Sequence, residues 1–227
     1  MDADTIVIVT AHEEADRLPE TLAALATAFP GARVVVADDG STDATSQVAR
    51  DAGAEVVRSE RVIGKGAAAT LAARRVLSRA LEPEPPVFVL VDGDLADSAA
   101  QLPALAEAVR AGRCDLAVAV FASRVGGGFG LAIGFAHRAI RNLTGLDLRA
   151  PISGQRALSG AAFAVVVPFA PRFGMEIGMT VDAARAGFRI EEIELDLAHR
   201  ASGRTWRGFV HRGRQLADFL AVYVSRR

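Results

Sequence analysis

The sequence predicts an α/β fold with a mostly parallel sheet and crossover helices, on three observations. Apolar runs of strand length alternate with helix-period segments through the first half of the chain. Three of these runs lead into acidic or polar loops, at Thr10 to Asp16, Asp38 to Ser41 and Asp92 to Asp94. With 227 residues, 51% hydrophobic and 23% charged, the chain can bury a substantial core as one domain without a disulfide or structural metal.

Ile6 to Val9 is the first strand. Pro19 suits the first turn of the next helix, whose Leu22, Leu25 and Phe29 share a face, and Pro30-Gly31 ends it. Val34 to Ala37 is a second strand, running into Asp38-Asp39-Gly40-Ser41. A helix from about Asp43 to Ala52 stops at Gly53, and Val56-Val57 makes a short third strand. Gly64-Lys65-Gly66 opens an alanine-rich helix to about Leu81, and the proline-rich stretch Glu82 to Pro86 breaks it. Val87 to Val91 is then a buried strand ending at Asp92-Gly93-Asp94.

The second half is less regular. It reads as a helix from Leu102 to Arg110, a strand from Leu116 to Val120, and a glycine-rich stretch from Gly126 to Gly134 leading into a helix that ends near Asn142. Ser153-Gly154-Gln155-Arg156 follows, then a helix around Met175 to Ala186 and a strand from Arg189 to Leu195. Trp206 to Tyr223 reads as helical, with Phe209, Leu216, Leu220 and Val224 on a broad apolar face beside arginines. No repeat or linker separates the halves.

Composition narrows the function. With 26 basic and 27 acidic residues and a net charge of −1, nothing marks a nucleic-acid binder. The single Cys114 excludes an intramolecular disulfide and Cys-paired zinc sites, and fits a reducing cytosol. The start lacks the basic and apolar regions of a signal peptide. The longest uncharged stretch, Ala157 to Pro171, is 15 residues with two prolines, short of the roughly 18 needed to span a bilayer. A cytoplasmic protein is expected. Charge is uneven: residues 1–60 carry 12 acids and 4 bases, whereas 199–227 carry seven arginines and only Asp218. Of the 26 basic residues 25 are arginine, and Lys65 is the only lysine.

In an open parallel sheet the carboxyl ends of the strands share one edge, so Glu14, Asp38, Asp39, Asp92 and Asp94 should gather at one crevice. Asp92-Gly93-Asp94 is the sharpest signal: two carboxylates on a tight turn at a strand end suit Mg²⁺ or Mn²⁺. The alternative is a loop whose acids face water. Gly64-Lys65-Gly66 is not a Walker loop, because that would need Gly at position 59 and Ser or Thr at 66, which are Ser59 and Gly66. A helix N-terminus carrying Lys65 suits a diphosphate; a solvated lysine is the alternative. Arg124, Arg156, Arg200 and Arg204 are candidate phosphate clamps, since a guanidinium fork matches phosphate geometry.

Six segments, in order, resemble the family 2 nucleotide-sugar glycosyltransferases, and among them the polyprenyl-phosphate sugar synthases. Thr10-Ala11-His12-Glu13-Glu14 is similar to their Pro-x-Tyr-Asn-Glu opening, and Val36 to Asp43 to Val-Val-Asp-Asp-Gly-Ser-x-Asp. Gly64-Lys65-Gly66 and Asp92-Gly93-Asp94 fall where that family has Gly-Lys-Gly and Asp-x-Asp. Pro151 to Ala157 resembles Pro-Thr-Ser-Gly-Phe-Arg-Ala. Met175-Glu176-Ile177 with Arg185 to Ile190 resembles Phe-Glu-Ile and Arg-Ala-Gly-Tyr-Arg-Ile.

The resemblance implies a GT-A fold, a Rossmann-like three-layer sandwich, and a metal-dependent hexosyltransferase using Mg²⁺ or Mn²⁺. It implies one domain over 1–227, with a nucleotide-sugar half at 1–112, an acceptor half at 113–204 and a basic C-terminal helix at 205–227. Its donor would be a nucleoside diphosphate sugar and its acceptor a phosphate-bearing molecule, foremost polyprenyl phosphate. A soluble acceptor such as phosphoglycerate, or a non-catalytic sugar-nucleotide-binding protein, is the alternative. Thr10, His12, Glu14, Asp38 and Asp39 would line the nucleotide pocket, with Gly93 at the turn. Asp94 would bind the cation, Asp92 the ribose or metal-bound water, and His199 would be a third ligand or else an exposed histidine. Lys65 would steady the leaving diphosphate, and Glu176 is the base if the acceptor is a hydroxyl, with Asp182 in reserve. Thr10, His12, Ala96 and Ala150 depart from the family's Pro, Tyr, Gln and Asp. The segment 205–227 would either lie on the inner face of an anionic membrane or pack on the core as an amphipathic helix.

Overall fold

A computed structural model describes residues 4–78, 86–122, 130–197 and 217–227. Strands β1 (Thr5–Ala11), β2 (Arg33–Asp38), β3 (Glu55–Arg58) and β4 (Val87–Asp92) alternate with helices α1 (Leu18–Ala28), α2 (Thr45–Asp51) and α3 (Lys65–Leu77). Then come α4 (Pro103–Arg110), β5 (Leu116–Phe121), α5 (Gly130–Thr144), β6 (Arg156–Leu158), α6 (Gly160–Val166), α7 (Met175–Arg185) and β7 (Ile190–Leu195). A final helix, α8, covers 217–225. The strands form one seven-stranded sheet in the order β3-β2-β1-β4-β6-β5-β7. All pairs are parallel except those of β6, which runs against both β4 and β5.

Both faces of the central sheet are covered, which is why β1, β4 and β5 are near-continuous apolar runs, while the edge strands β3 and β7 carry charges. In β1, Val7 and Val9 point to a cluster with Leu18, Leu22 and Leu25 of α1 and Leu105 and Ala108 of α4. Ile6 and Ile8 point the other way, onto Ala68, Ala69 and Ala72 of α3, Phe163 of α6 and Met179 of α7. This is the three-layer sandwich expected. The alanine face of α3 lets that helix lie close to the sheet. A third cluster joins α5 and α7 to α8 through Ile140, Ile177, Val181, Phe219 and Val222.

Two features differ from the sequence expectation. A 3-10 turn at Ala96–Gln101 precedes α4. The segment after Gln155 forms β6 and α6, which three fully buried strand residues are too few to announce by alternation. The C-terminal helix is described only over 217–225, so Trp206, Phe209 and Leu216 lie outside the described residues.

Candidate active site

Register brings the acidic loops together. Thr10 lies opposite Asp92, and Ala11 opposite Asp38, at the carboxyl ends of β1, β4 and β2. His12 Nδ1 donates to the Asp39 carbonyl at 2.9 Å. A carbonyl can only accept, so Nδ1 carries the proton of this bond and Nε2 is left as the other ring nitrogen. The Glu14 amide donates to Thr45 Oγ1 at 2.9 Å, fixing the β1 loop to the start of α2.

Asp38 is fully buried. It accepts from the Ser41 amide at 2.9 Å and from Ser46 Oγ, with Arg58 Nε 3.5 Å away. Burial alone would raise its carboxyl, but the bonds from Ser41 and Ser46 and the Arg58 charge outweigh that and hold it below the usual range. Its carboxylate oxygens are thus engaged by the protein and shape the loop at the expected nucleotide pocket. Asp39 is 6% exposed and takes the Ile63 amide at 2.7 Å and the Gly64 amide at 2.9 Å. It thereby ties the β2 loop to the N-terminus of α3.

At that N-terminus stands Lys65. Its Nζ lies 2.6 Å from Asp92 Oδ1 and 2.7 Å from Glu176 Oε1, a three-member charge set drawn from α3, β4 and α7. Burial would lower the ammonium's pKa, but the two carboxylates reverse this and raise it. Thr10 Oγ1 and Gln155 Nε2 also reach Asp92, each at 3.2 Å. Glycines permit the approach. A Cβ on Gly154 would sit 2.4 Å from Asp92 Oδ2 and 2.7 Å from Lys65 Nζ, and one on Gly66 1.9 Å from the Ala170 carbonyl.

The expectation for Arg156 is corrected. It is fully buried, donating to the carbonyls of Ser153 and Pro151 and to Thr180 Oγ1, so it braces the 151–155 loop and offers no fork to a ligand. Burial pulls its pKa down to about 10, still cationic at neutral pH. Asp182 is no reserve base, since Arg226, just past α8, holds it at 2.7 Å from Nε and 2.5 Å from Nη2. Arg124, His199, Arg200 and Arg204 lie outside the described residues. Sequence reasoning missed Thr21, Ser46, Gln155 and Thr180. A lone hydroxyl in a helical pattern carries no signal of a partner 72 residues away.

Asp94 differs from its neighbours. It is half-buried at the tip of the β4 turn, and its carboxylate meets no donor among the described residues. Lys65 offsets the charge of Asp92, which leaves the Asp94 carboxylate as a hard oxygen donor of the kind that Mg²⁺ and Mn²⁺ take. Among the described residues no three His, Cys, Asp or Glu side chains gather into a complete metal shell.

The model of glycosyl transferase family 2 matches residues 6–153, more than half the chain. The chain belongs to glycosyl transferase family 2. This family 2 glycosyltransferase is 29% identical over 216 residues to an undecaprenyl-phosphate mannosyltransferase of Micrococcus luteus, covering 88% of this chain and 86% of that one. It superposes on glucosyl-3-phosphoglycerate synthase from Mycobacterium tuberculosis, solved with Mn²⁺, UDP and phosphoglyceric acid. The TM-score is 0.78 at 26% identity, covering 98% of this chain and 78% of that one. The same synthase with phosphoglyceric acid alone gives 0.76 at 26% identity. The fold is therefore GT-A and the enzyme class that of hexosyltransferases. No helix among the described residues is long and apolar enough to cross a membrane.

Proposed function

We propose that this glycosyltransferase moves a hexose from a nucleoside diphosphate sugar to a phosphate-bearing acceptor, polyprenyl phosphate, with a divalent cation at Asp94. The observation that carries the reading is the Asp92-Lys65-Glu176 set at the end of β4, two residues before an Asp94 that has no partner among the described residues, at the edge where His12 and the Asp38-Asp39 loop meet. The cation, when bound, supplies Lewis-acid stabilisation of the charge growing on the leaving diphosphate. Lys65 stands beside that position as a fixed ammonium and adds to the same stabilisation. His12 Nε2 and the loop closed by Asp39 are set to receive the nucleoside.

Glu176 decides between acceptors. Its Oε1 already accepts from the Lys65 ammonium at 2.7 Å, so that oxygen is engaged inside the charge set. An acceptor that arrives ionised, such as a lipid phosphate, needs no base, and the mannosyltransferase relative acts on undecaprenyl phosphate by its name. The likeness to the phosphoglycerate synthase favours a second reading, a soluble phosphate-bearing acceptor. In the first reading the basic 205–227 segment meets the inner face of a membrane, each arginine adding about 1 kcal/mol near an anionic surface.

A thermal-shift screen of UDP-, GDP-, dTDP- and ADP-linked sugars, with and without Mn²⁺ or Mg²⁺, tests the donor site. A ligand at 100 times its Kd adds about 2.7 kcal/mol, and a metal-dependent shift with one nucleotide is expected. Transfer from that donor to polyprenyl phosphate, and not to 3-phosphoglycerate, is the expected acceptor result; the reverse selects the soluble acceptor. Retained metal-dependent transfer by Asp94→Ala sinks the cation assignment.

A further inference from the structure

We infer that Thr21, on the first helix and outside every motif named above, is the positioning residue of the cation site, an inference that rests on the reading of Asp94 as its ligand. Thr21 is fully buried. Its Oγ1 donates to the Gly93 carbonyl at 2.8 Å and accepts the Ala96 amide at 2.8 Å. One hydroxyl thus closes both ends of the turn that carries Asp94.

The opposite side of the turn is held as well. The Gly93 amide donates to the Thr10 carbonyl at 2.9 Å, so both polar groups of Gly93 are fixed, one by β1 and one by α1. Ala96 has φ +49°, in the left-handed region, a conformation unfavourable for a non-glycine residue. The bond from its amide to Thr21 holds it there. Between these two clamped residues, Asp94 has no protein partner of its own among the described residues. The direction of its carboxylate is therefore inherited from the backbone, and the backbone from Thr21. Residues that orient a ligand in this way typically govern metal affinity by about tenfold or more when removed.

The test uses the full chain as wild type, Thr21→Val, Thr21→Ser and Asp94→Asn. Free Mn²⁺ is titrated by EPR in the presence of saturating UDP or GDP, whichever the thermal-shift screen selects, and the binding of that nucleotide is measured separately without metal. Thr21→Val, which keeps the shape and loses the hydroxyl, is expected to weaken Mn²⁺ by about tenfold and leave metal-free nucleotide affinity unchanged. Thr21→Ser is expected to bind Mn²⁺ as the wild type does. Wild-type Mn²⁺ affinity in Thr21→Val, with Asp94→Asn weakened, overturns the role of Thr21 while Asp94 stands. Wild-type affinity in Asp94→Asn overturns the cation assignment, and this inference with it. An equal loss of metal-free nucleotide binding in Thr21→Val marks a general structural role and also overturns it. Should Thr21→Val not fold, Thr21→Cys, close in size and a far weaker hydrogen-bonding group, is read by the same criteria.

Discussion

Asp38 shows how much one buried carboxylate can owe to its protein partners. Its folded pKa is held below the ordinary value by Ser41, Ser46 and Arg58, so the stabilisation is present above the unfolded value of about 3.9 and is lost as pH falls through the folded one. Asp38→Asn is expected to cost about 1–3 kcal/mol at pH 7, with a difference from wild type that shrinks in urea melts taken below about pH 4. Cys114 presents the opposite case. It is buried, and burial, aided by Glu191, pushes its thiol up to about 11. A thiol-specific reagent at pH 8 should leave it unmodified in the folded protein and react fully in urea; ready labelling without denaturant would contradict its burial. The acidic residues were legible in the sequence as a group because strand ends collect them. Their division of labour was not, since Asp38 turns inward and Asp94 outward on the strength of contacts from distant segments. Arg156 misled because a guanidinium suits a buried carbonyl cage as well as a phosphate.

Among the elements, β1 to β4 and their helices could be read from period and punctuation, because each buries enough apolar residues to show one. β6 could not: three residues inserted antiparallel between β4 and β5 take their structure from their neighbours. Two glycines separate backbone need from packing need. Gly53, after α2, has φ +81° and open space around it, so Gly53→Ala should cost only the left-handed penalty of about 1–2 kcal/mol. Gly66 lies within α3, where alanine has the better helix propensity by about 1 kcal/mol. Its Cβ, however, would meet the Ala170 carbonyl at 1.9 Å. Gly66→Ala should therefore cost about 3 kcal/mol or more and pull Lys65 away from Glu176. Thermal melts of the two variants check the ranking, and equal losses would mean that the contact at Ala170 yields freely.

For the whole molecule, α8 fastens the C-terminus to the second half. Phe219 and Val222 enter the α5–α7 cluster, Tyr223 meets Phe135 edge-on, and Arg226 grips Asp182. A chain ending at residue 216 loses two buried side chains worth about 1.5–3 kcal/mol each. It should melt markedly lower and bind a hydrophobic dye; an unchanged melt would show that α8 is dispensable. The outward side of α8 leaves Leu220 50% and Val224 65% exposed. Cosedimentation with anionic liposomes, expected for the full chain and reduced in Leu220→Ser/Val224→Ser, checks whether this face meets lipid. The amphipathic pattern predicted the helix, while its docking depended on Asp182, which sequence alone suggested for chemistry.

Because Lys65 is the only lysine, an amine-directed acylating reagent has one side-chain target in the entire chain, and that target lies where donor and acceptor are proposed to meet. Held as an ammonium between Asp92 and Glu176, it should acylate slowly at rest. The acylation of the Lys65 peptide over time, read apart from that of the faster-reacting terminal amine, then becomes a gauge of how often the charge set opens, and of which sugar nucleotide closes it.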